Sequence, residues 1–337
     1  MLLEVKDLSL SLKREGKYSK ILDQISFKID KGETVGIVGE SGCGKSMTAL
    51  SLMRLLPDKA RLEGTVELEG EKINDFSKRK LQKSRGNQMS MIFQNPLTSL
   101  NPLQTVGRQI EESLILHTNM SKRERRARVI QLLDEVGLPR ADELIDEYPH
   151  QLSGGMRQRI MIAIAMACAP QLLICDEPTT ALDVTIQAQI LELMNKIKEE
   201  TQMGIIMITH DMGVVAEVCD RVIVMYAGRV VEEAPVVELF ENPKHPYTRG
   251  LLNSIPKLGK RKLQLGSIPG TVPTPENMPK GCRFADRCEH AMDICKTTSP
   301  QMTQIKENHQ TACWLYDEGG NKNGTTRSEK PETALHH

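Results

Sequence analysis

Residues 34–56 read TVGIVGESGCGKSMTALSLMRLL. Thr34 to Val38 is a short apolar, β-branched run, as expected of a strand buried in a parallel sheet. Gly39, Glu40, Ser41, Gly42, Cys43, Gly44, Lys45 and Ser46 then fit the pattern GxxxxGK[ST]. The glycines let the backbone wrap an anion closely enough for several N–H groups to point at it. Lys45 is placed to reach the β- and γ-phosphates of a nucleotide, and the Ser46 hydroxyl to ligate Mg²⁺. From Ser46 to Leu56, ahead of Pro57, apolar residues fall at helical spacing. A helix starting near Lys45 directs the positive end of its dipole at the same phosphates. A chance glycine-rich turn would lack this strand–loop–helix context.

Other strand ends carry chemistry that suits such a cradle. Leu172 to Glu177 is an apolar run ending in two carboxylates. Beside a phosphate loop, Asp176 suits Mg²⁺ and Glu177 suits polarising the attacking water. Alone, a strand ending in two acids is as readily structural. Gln94 follows the apolar run Met89 to Phe93, and its amide can contact both metal and water. His210 ends a third apolar run, where its imidazole can bond a γ-phosphate. In isolation, that glutamine reads as a surface residue and that histidine as structural. Leu152-Ser153-Gly154-Gly155 opens a helix with Arg157 and Arg159 in its first turns, which makes a second anion-binding helix start. Two such sites in one chain make sense if two chains meet head to tail around the nucleotide.

At 337 residues the chain exceeds the usual size of one core. Lys and Arg (44) balance Asp and Glu (44), which argues against a dedicated nucleic-acid binder. No apolar run reaches the roughly 18 residues needed to cross a bilayer. The longest, Ile160 to Ala169, reads as a buried helix. The start MLLEVKDLSL lacks the marks of a signal peptide, so the expected location is the cytosol or the cytosolic side of a membrane. Strands are predicted over Leu2–Val5, Ser9–Leu12, Ile25–Ile29 and Thr65–Leu68. Helices are predicted over Val106–Leu116 and Lys122–Val136. From Leu172 to Met225 strand and helix alternate, which implies a mainly parallel sheet with helices on its faces. After about residue 240 prolines crowd and periodicity is lost. The polar stretch 317–337 is expected to be disordered.

GESGCGKS, LICDE, LSGGM, Gln94 and His210 together resemble the ABC ATPase family, as its Walker A, Walker B, signature, Q-loop and switch histidine. Ala181-Leu182-Asp183 is similar to its D-loop. The resemblance covers about residues 1–240. It implies an α/β P-loop fold with a RecA-like mixed sheet, an N-terminal antiparallel β-subdomain and a helical signature subdomain near 97–165. It also implies an ATP-sandwich dimer in which Ser153, Gly154, Gly155 and Met156 of one chain meet the nucleotide of the other. Asp183 comes with the D-loop. Two departures stand out: Met156 replaces the commoner glutamine, and the usual adenine-stacking aromatic would fall near Leu12, with Tyr18 displaced from it.

FQNPLTSLNP (93–102), HPYTRGLL (245–252) and GCRFADRC (281–288) look like the oligopeptide/dipeptide importer ATP-binding subunits, extending the likeness to about Tyr316. This implies a peripheral subunit on the cytoplasmic side of a bacterial or archaeal inner membrane. Its partners would be a second ATPase subunit, two permeases and an extracytoplasmic peptide-binding protein. Alternatives are the same machine importing nickel or another small solute, and a soluble ABC ATPase acting on DNA or ribosomes. Within 241–316, a small irregular extension, Cys282, Cys288, Cys295 and Cys313 are spaced C-x5-C-x6-C-x17-C. Zinc sites favour tighter pairs, and four thiolates also suit an iron–sulfur cluster. Zinc and unmetallated thiols stay open, while the subfamily resemblance implies [4Fe–4S]. A metal would offset the chain entropy of a segment poor in apolar residues. Cys168, Cys175 and Cys219 read as small buried residues.

Overall fold

A computed structural model describes residues 1–14, 16–94, 99–179, 183–254 and 268–316. Strands β1 (Leu3–Arg14) and β2 (Lys17–Ile29) form a long hairpin. Then come β3 (Thr34–Val38), α1 (Lys45–Leu52), β4 (Arg61–Leu68), β5 (Glu71–Lys72), α2 (Lys78–Ser84) and β6 (Met89–Ile92). A helical stretch follows: α3 (Val106–His117), α4 (Lys122–Glu135), α5 (Ala141–Leu144) and α6 (Gly154–Met166). The alternating part is β7 (Leu172–Asp176), α7 (Val184–Thr201), β8 (Gly204–Ile208), α8 (Met212–Val218), β9 (Arg221–Tyr226) and β10 (Arg229–Pro235). After it come α9 (Val236–Glu241), α10 (Pro246–Asn253), α11 (Asp293–Thr297), β11 (Thr303–Lys306) and β12 (His309–Thr311).

Two sheets result. The first is antiparallel, in the order β2-β1-β4-β5. The second runs β11-β12-β10-β9-β3-β8-β7-β6, with its five strands from β9 to β6 parallel. Every residue of β3, β7 and β8 is buried. A strand covered on both faces needs such an unbroken apolar run rather than alternation.

The two strands predicted over Leu2–Val5 and Ser9–Leu12 are one strand. A bulge with register shifts beyond Val5 and Lys6 divides its pattern. Asp7 sits there at φ 50°, and its N–H donates to Ser26 Oγ at 2.8 Å. Opposite the bulge, a Cβ on Gly64 would lie 2.5 Å from Asp7 O, so only glycine fits. Helix α1 stops at Leu52 rather than Leu56, because Arg54 turns to φ 54° and Leu55 N–H folds back to Leu50 O at 2.8 Å.

Three of the four helices described between 106 and 166 start where a side chain caps them. Thr105 accepts from Arg108 N–H, Ser121 and Glu124 form a reciprocal box, and Ser153 accepts from Met156 N–H. Each cap is worth about 1 kcal/mol. Val106, Ile110 and Leu114 of α3 are buried in the same core as Leu132 and Leu133 of α4 and Ile160 of α6. Truncating one such leucine to alanine costs about 2–5 kcal/mol.

The Cys-rich segment is less separate than its composition predicts. Strand β12 pairs with β10, so a hairpin from residues 303–311 extends the main sheet. Buried Glu232 of β10 fixes the junction: its carboxylate accepts from Lys244 N–H (2.6 Å) and His245 N–H (2.9 Å), and lies 2.8 Å from His309 Nε2. Phe284 packs edge-on to Tyr226 and tilted against Tyr247, with centroids 5.1 and 5.4 Å apart. Arg229 and Arg283 both pair with Asp23 of β2, which joins this segment to the antiparallel sheet. The stretch 317–337 lies outside the described residues.

Candidate active site

Parallel strands put their carboxyl ends on one edge of the sheet, and the expected site residues stand there. Gly39 directly follows β3, Asp176 ends β7 and Glu177 follows it. Gln94 lies two residues past β6 and His210 two past β8. Gly39, Gly42 and Gly44 have φ of 152°, 79° and 108°. A Cβ on Gly39 would stand 2.2 Å from Met225 O, so the loop hugs the end of β9. Lys45 opens α1 with its side chain buried. Its Nζ donates to Gly39 O at 2.7 Å and Glu40 O at 3.1 Å. Carbonyl dipoles hold this ammonium without neutralising it, which leaves it able to bind an anion.

Ser46 Oγ donates to Asp176 Oδ1 at 3.0 Å, which brings two hard oxygen ligands together. Burial pushes the Asp176 carboxyl above its ordinary value; the Ser46 hydrogen bond opposes this and the Glu177 charge adds to it. A cation at these oxygens would favour the carboxylate form. Glu177 adopts φ 50°, unusual for a side-chain-bearing residue, and its N–H donates to Ile208 O at 2.9 Å. Its carboxylate lies between two neighbours: Gln94 Nε2 donates to Oε2 at 2.8 Å, and His210 Nδ1 is 3.2 Å from Oε1. Asp211 caps α8 by accepting from Gly213 N–H at 2.8 Å, and so orders the turn that carries His210. The sequence reading passed over Asp211, although an Asp before an apolar helix is a capping signal.

Ser153 caps α6, and Ser153 and Gly154 are exposed. No hydrogen bond among the described residues joins 153–156 to 39–46. This helix start is thus not tied to the glycine loop of its own chain, and its first two residues face solvent. Gly155 lets α6 approach α7 closely: a Cβ there would lie 3.1 Å from Ile186 Cγ2. Asp183 caps α7 by accepting from Ile186 N–H at 3.0 Å, while Ala181 and Leu182 lie outside the described residues. Tyr18, at the β1–β2 turn, has one face covered by Arg61, whose guanidinium carbon is 3.7 Å from the ring centroid.

All four clustered cysteines line one cavity, with Trp314, Met292 and His290 among its other walls. Burial pushes the Cys282 thiol up to about 11 and the Cys313 thiol up to about 12. No group of three or more His, Cys, Asp or Glu among the described residues is arranged to hold a metal ion. Cys175 and Cys219 are buried, as expected of small apolar residues, and Cys168 is half-buried.

This is the architecture of an ATP-binding cassette, and solved cassettes match it. The dimeric post-hydrolysis state of the ATP-binding cassette MJ0796 bound to ADP and Pi is 32% identical, with a TM-score of 0.63 over 70% of this chain and 99% of that one. Residues 22–180 match the ABC transporter family, and residues 231–295 match the oligopeptide/dipeptide transporter C-terminal region. The oligopeptide transport ATP-binding protein AppD of Bacillus subtilis is 53% identical over 321 residues, covering 95% of this chain and 98% of that protein. The probable peptide ABC transporter ATP-binding protein y4tR of Sinorhizobium fredii is 48% identical, covering 94% and 96%. The chain belongs to the ATP-binding proteins of the oligopeptide/dipeptide branch of ABC transporters.

Proposed function

We propose that this chain hydrolyses ATP to energise peptide import, with Gly39–Ser46, Gln94, Asp176, Glu177 and His210 as its half of the nucleotide site. One observation carries the reading. Glu177 is held between Gln94 and His210, one residue from the Asp176 that already engages Ser46. In this reading the loop N–H groups and Lys45 bind the phosphates, and Ser46, Gln94 and Asp176 supply oxygen ligands for Mg²⁺. Glu177 takes the proton of the attacking water, and His210 contacts the γ-phosphate. Held there, Mg²⁺ would supply positive charge to offset that on the phosphate oxygens.

Outward-facing Ser153 to Met156 completes the site of a second ATPase subunit, and Asp183 lies at the same junction. Dimeric cassettes among the similar structures support this arrangement. Two permeases, an extracytoplasmic peptide-binding protein and a peripheral position on the cytoplasmic face of the inner membrane complete the picture. No helix among the described residues is long and apolar enough to cross a membrane, which is consistent with peripheral attachment.

Cys282, Cys288, Cys295 and Cys313 are read as holding a [4Fe–4S] cluster in a structural role. Support comes from their convergence on one cavity. Zinc and unmetallated thiols are the alternatives; among the described residues no group of three or more His, Cys, Asp or Glu is arranged to hold a metal ion of either kind. The test is purification from the native membrane. Expected are two permeases, a second ATPase and a binding protein carrying peptide. A binding protein carrying nickel, or ribosomes in place of permeases, would overturn the cargo or the transporter reading respectively.

A further inference from the structure

Arg287 reaches the phosphate loop from 247 residues downstream. Its Nη1 and Nη2 donate to Glu40 Oε2 and Oε1 at 2.6 and 2.9 Å, a bidentate pair. The arginine side chain is 6% exposed and that of Glu40 29%, so water screens the pair weakly. Further contacts fix the guanidinium itself. Nε donates to Pro269 O at 2.8 Å, Nη2 to Ile268 O at 3.2 Å and Nη1 to Tyr226 Oη at 3.3 Å.

Glu40 is held a second time through its backbone. Its N–H donates to the hydroxyl of buried Tyr247 at 2.8 Å. That N–H is thereby engaged within the protein rather than offered to a phosphate. The Glu40 carbonyl meanwhile accepts from Lys45 Nζ at 3.1 Å and from Cys43 N–H at 3.2 Å. One residue of the glycine loop thus orients the phosphate-binding lysine, and two residues beyond position 240 orient that residue. Left unpaired, the Glu40 carboxylate would also repel a triphosphate in the same loop.

We propose that Arg287 and Tyr247 are positioning residues for nucleotide binding, holding Glu40 so that the glycine loop keeps its shape and its negative charge is offset. The inference rests on reading Gly39–Ser46 as the ATP cradle. Arg287 directly precedes Cys288, so the order of the four-cysteine segment is transmitted to the loop. By linkage, nucleotide in the loop also steadies that segment.

The test is nucleotide affinity of the full chain, measured with a fluorescent ATP analogue, together with KM and kcat in the assembled complex. Arg287→Gln is expected to weaken binding on the order of tenfold, with KM rising and kcat at saturating ATP retained. Arg287→Lys should recover part of the loss. In a Glu40→Gln background the Arg287→Gln change should have little further effect. Unchanged affinity in Arg287→Gln, or an equal loss in both backgrounds, overturns the proposal. Should Arg287→Gln fail to fold, Tyr247→Phe removes one hydroxyl only. It is expected to weaken binding about threefold, and unchanged affinity there overturns the proposal. Lys45→Ala separates the two readings: if it spares nucleotide binding, the cradle assignment itself fails.

Discussion

The amide of Gln94 donates to the Glu177 carboxylate at 2.8 Å across 83 residues of chain. The first residue follows β6 and the second follows β7, the neighbouring parallel strand. The link between Gln94, just after β6, and the Glu177 carboxylate is therefore direct. Movement of Gln94 would change what Glu177 faces.

Replacing Glu177 by Gln keeps shape and neighbours but removes the proposed base. Hydrolysis should fall by roughly 10²–10⁴-fold, with ATP still bound and the dimer held closed. Normal turnover in the assembled transporter would show that another group takes the proton.

Gly154 is exposed at the start of α6. Gly154→Asp places a negative charge at the helix end proposed to meet a second subunit's nucleotide. Nucleotide affinity of the isolated chain should stay unchanged while turnover in the complex falls at least about tenfold. Loss of affinity in the isolated chain instead would mean that 153–156 serves the chain's own nucleotide.

Trp314 is the only tryptophan of the sequence and lines the four-cysteine cavity. Its indole N–H donates to Thr298 O at 2.9 Å. Cys282→Ser should bleach a brown protein near 400 nm, reduce iron from about four atoms per chain towards none, and shift Trp314 emission as the segment loosens. A colourless parent containing zinc would refute the cluster.

Glu238 of α9 is hydrogen-bonded to Lys306, Asn242 and His309, and these contacts hold its carboxyl down at about 2. The folded value lies below the unfolded one. The contribution is therefore complete above about pH 4.5 and is lost as pH falls towards 2. Trp314 emission should report loosening of the β11–β12 hairpin across that window. Glu238→Gln should show the loosened signal already at neutral pH and lose the transition. An identical acid profile in both proteins would remove Glu238 from hairpin docking.

Local chemistry made much of this readable in the sequence. The buried strands β3, β7 and β8 announce themselves as apolar runs, and Asp176, Glu177 and His210 follow from their ends. The bulge at Asp7 was illegible, because it depends on Ser26 and Gly64 from other strands. The hairpin at 303–311 has too few residues for a clear period, and β10, which it covers, supplies the register. Arg287 lies in GCRFADRC, where the sequence alone gives it no role. Its partner Glu40 is visible only once α10 and the Cys-rich segment pack beside the loop.

Strand β12 closes what would otherwise be the open flank of β10. A chain cut short before residue 300 would leave the outer row of peptide groups on β10 without partners, and such rows recruit strands from other molecules. The edge passes instead to β11, a strand of four residues, and so short an edge offers another chain little to pair with.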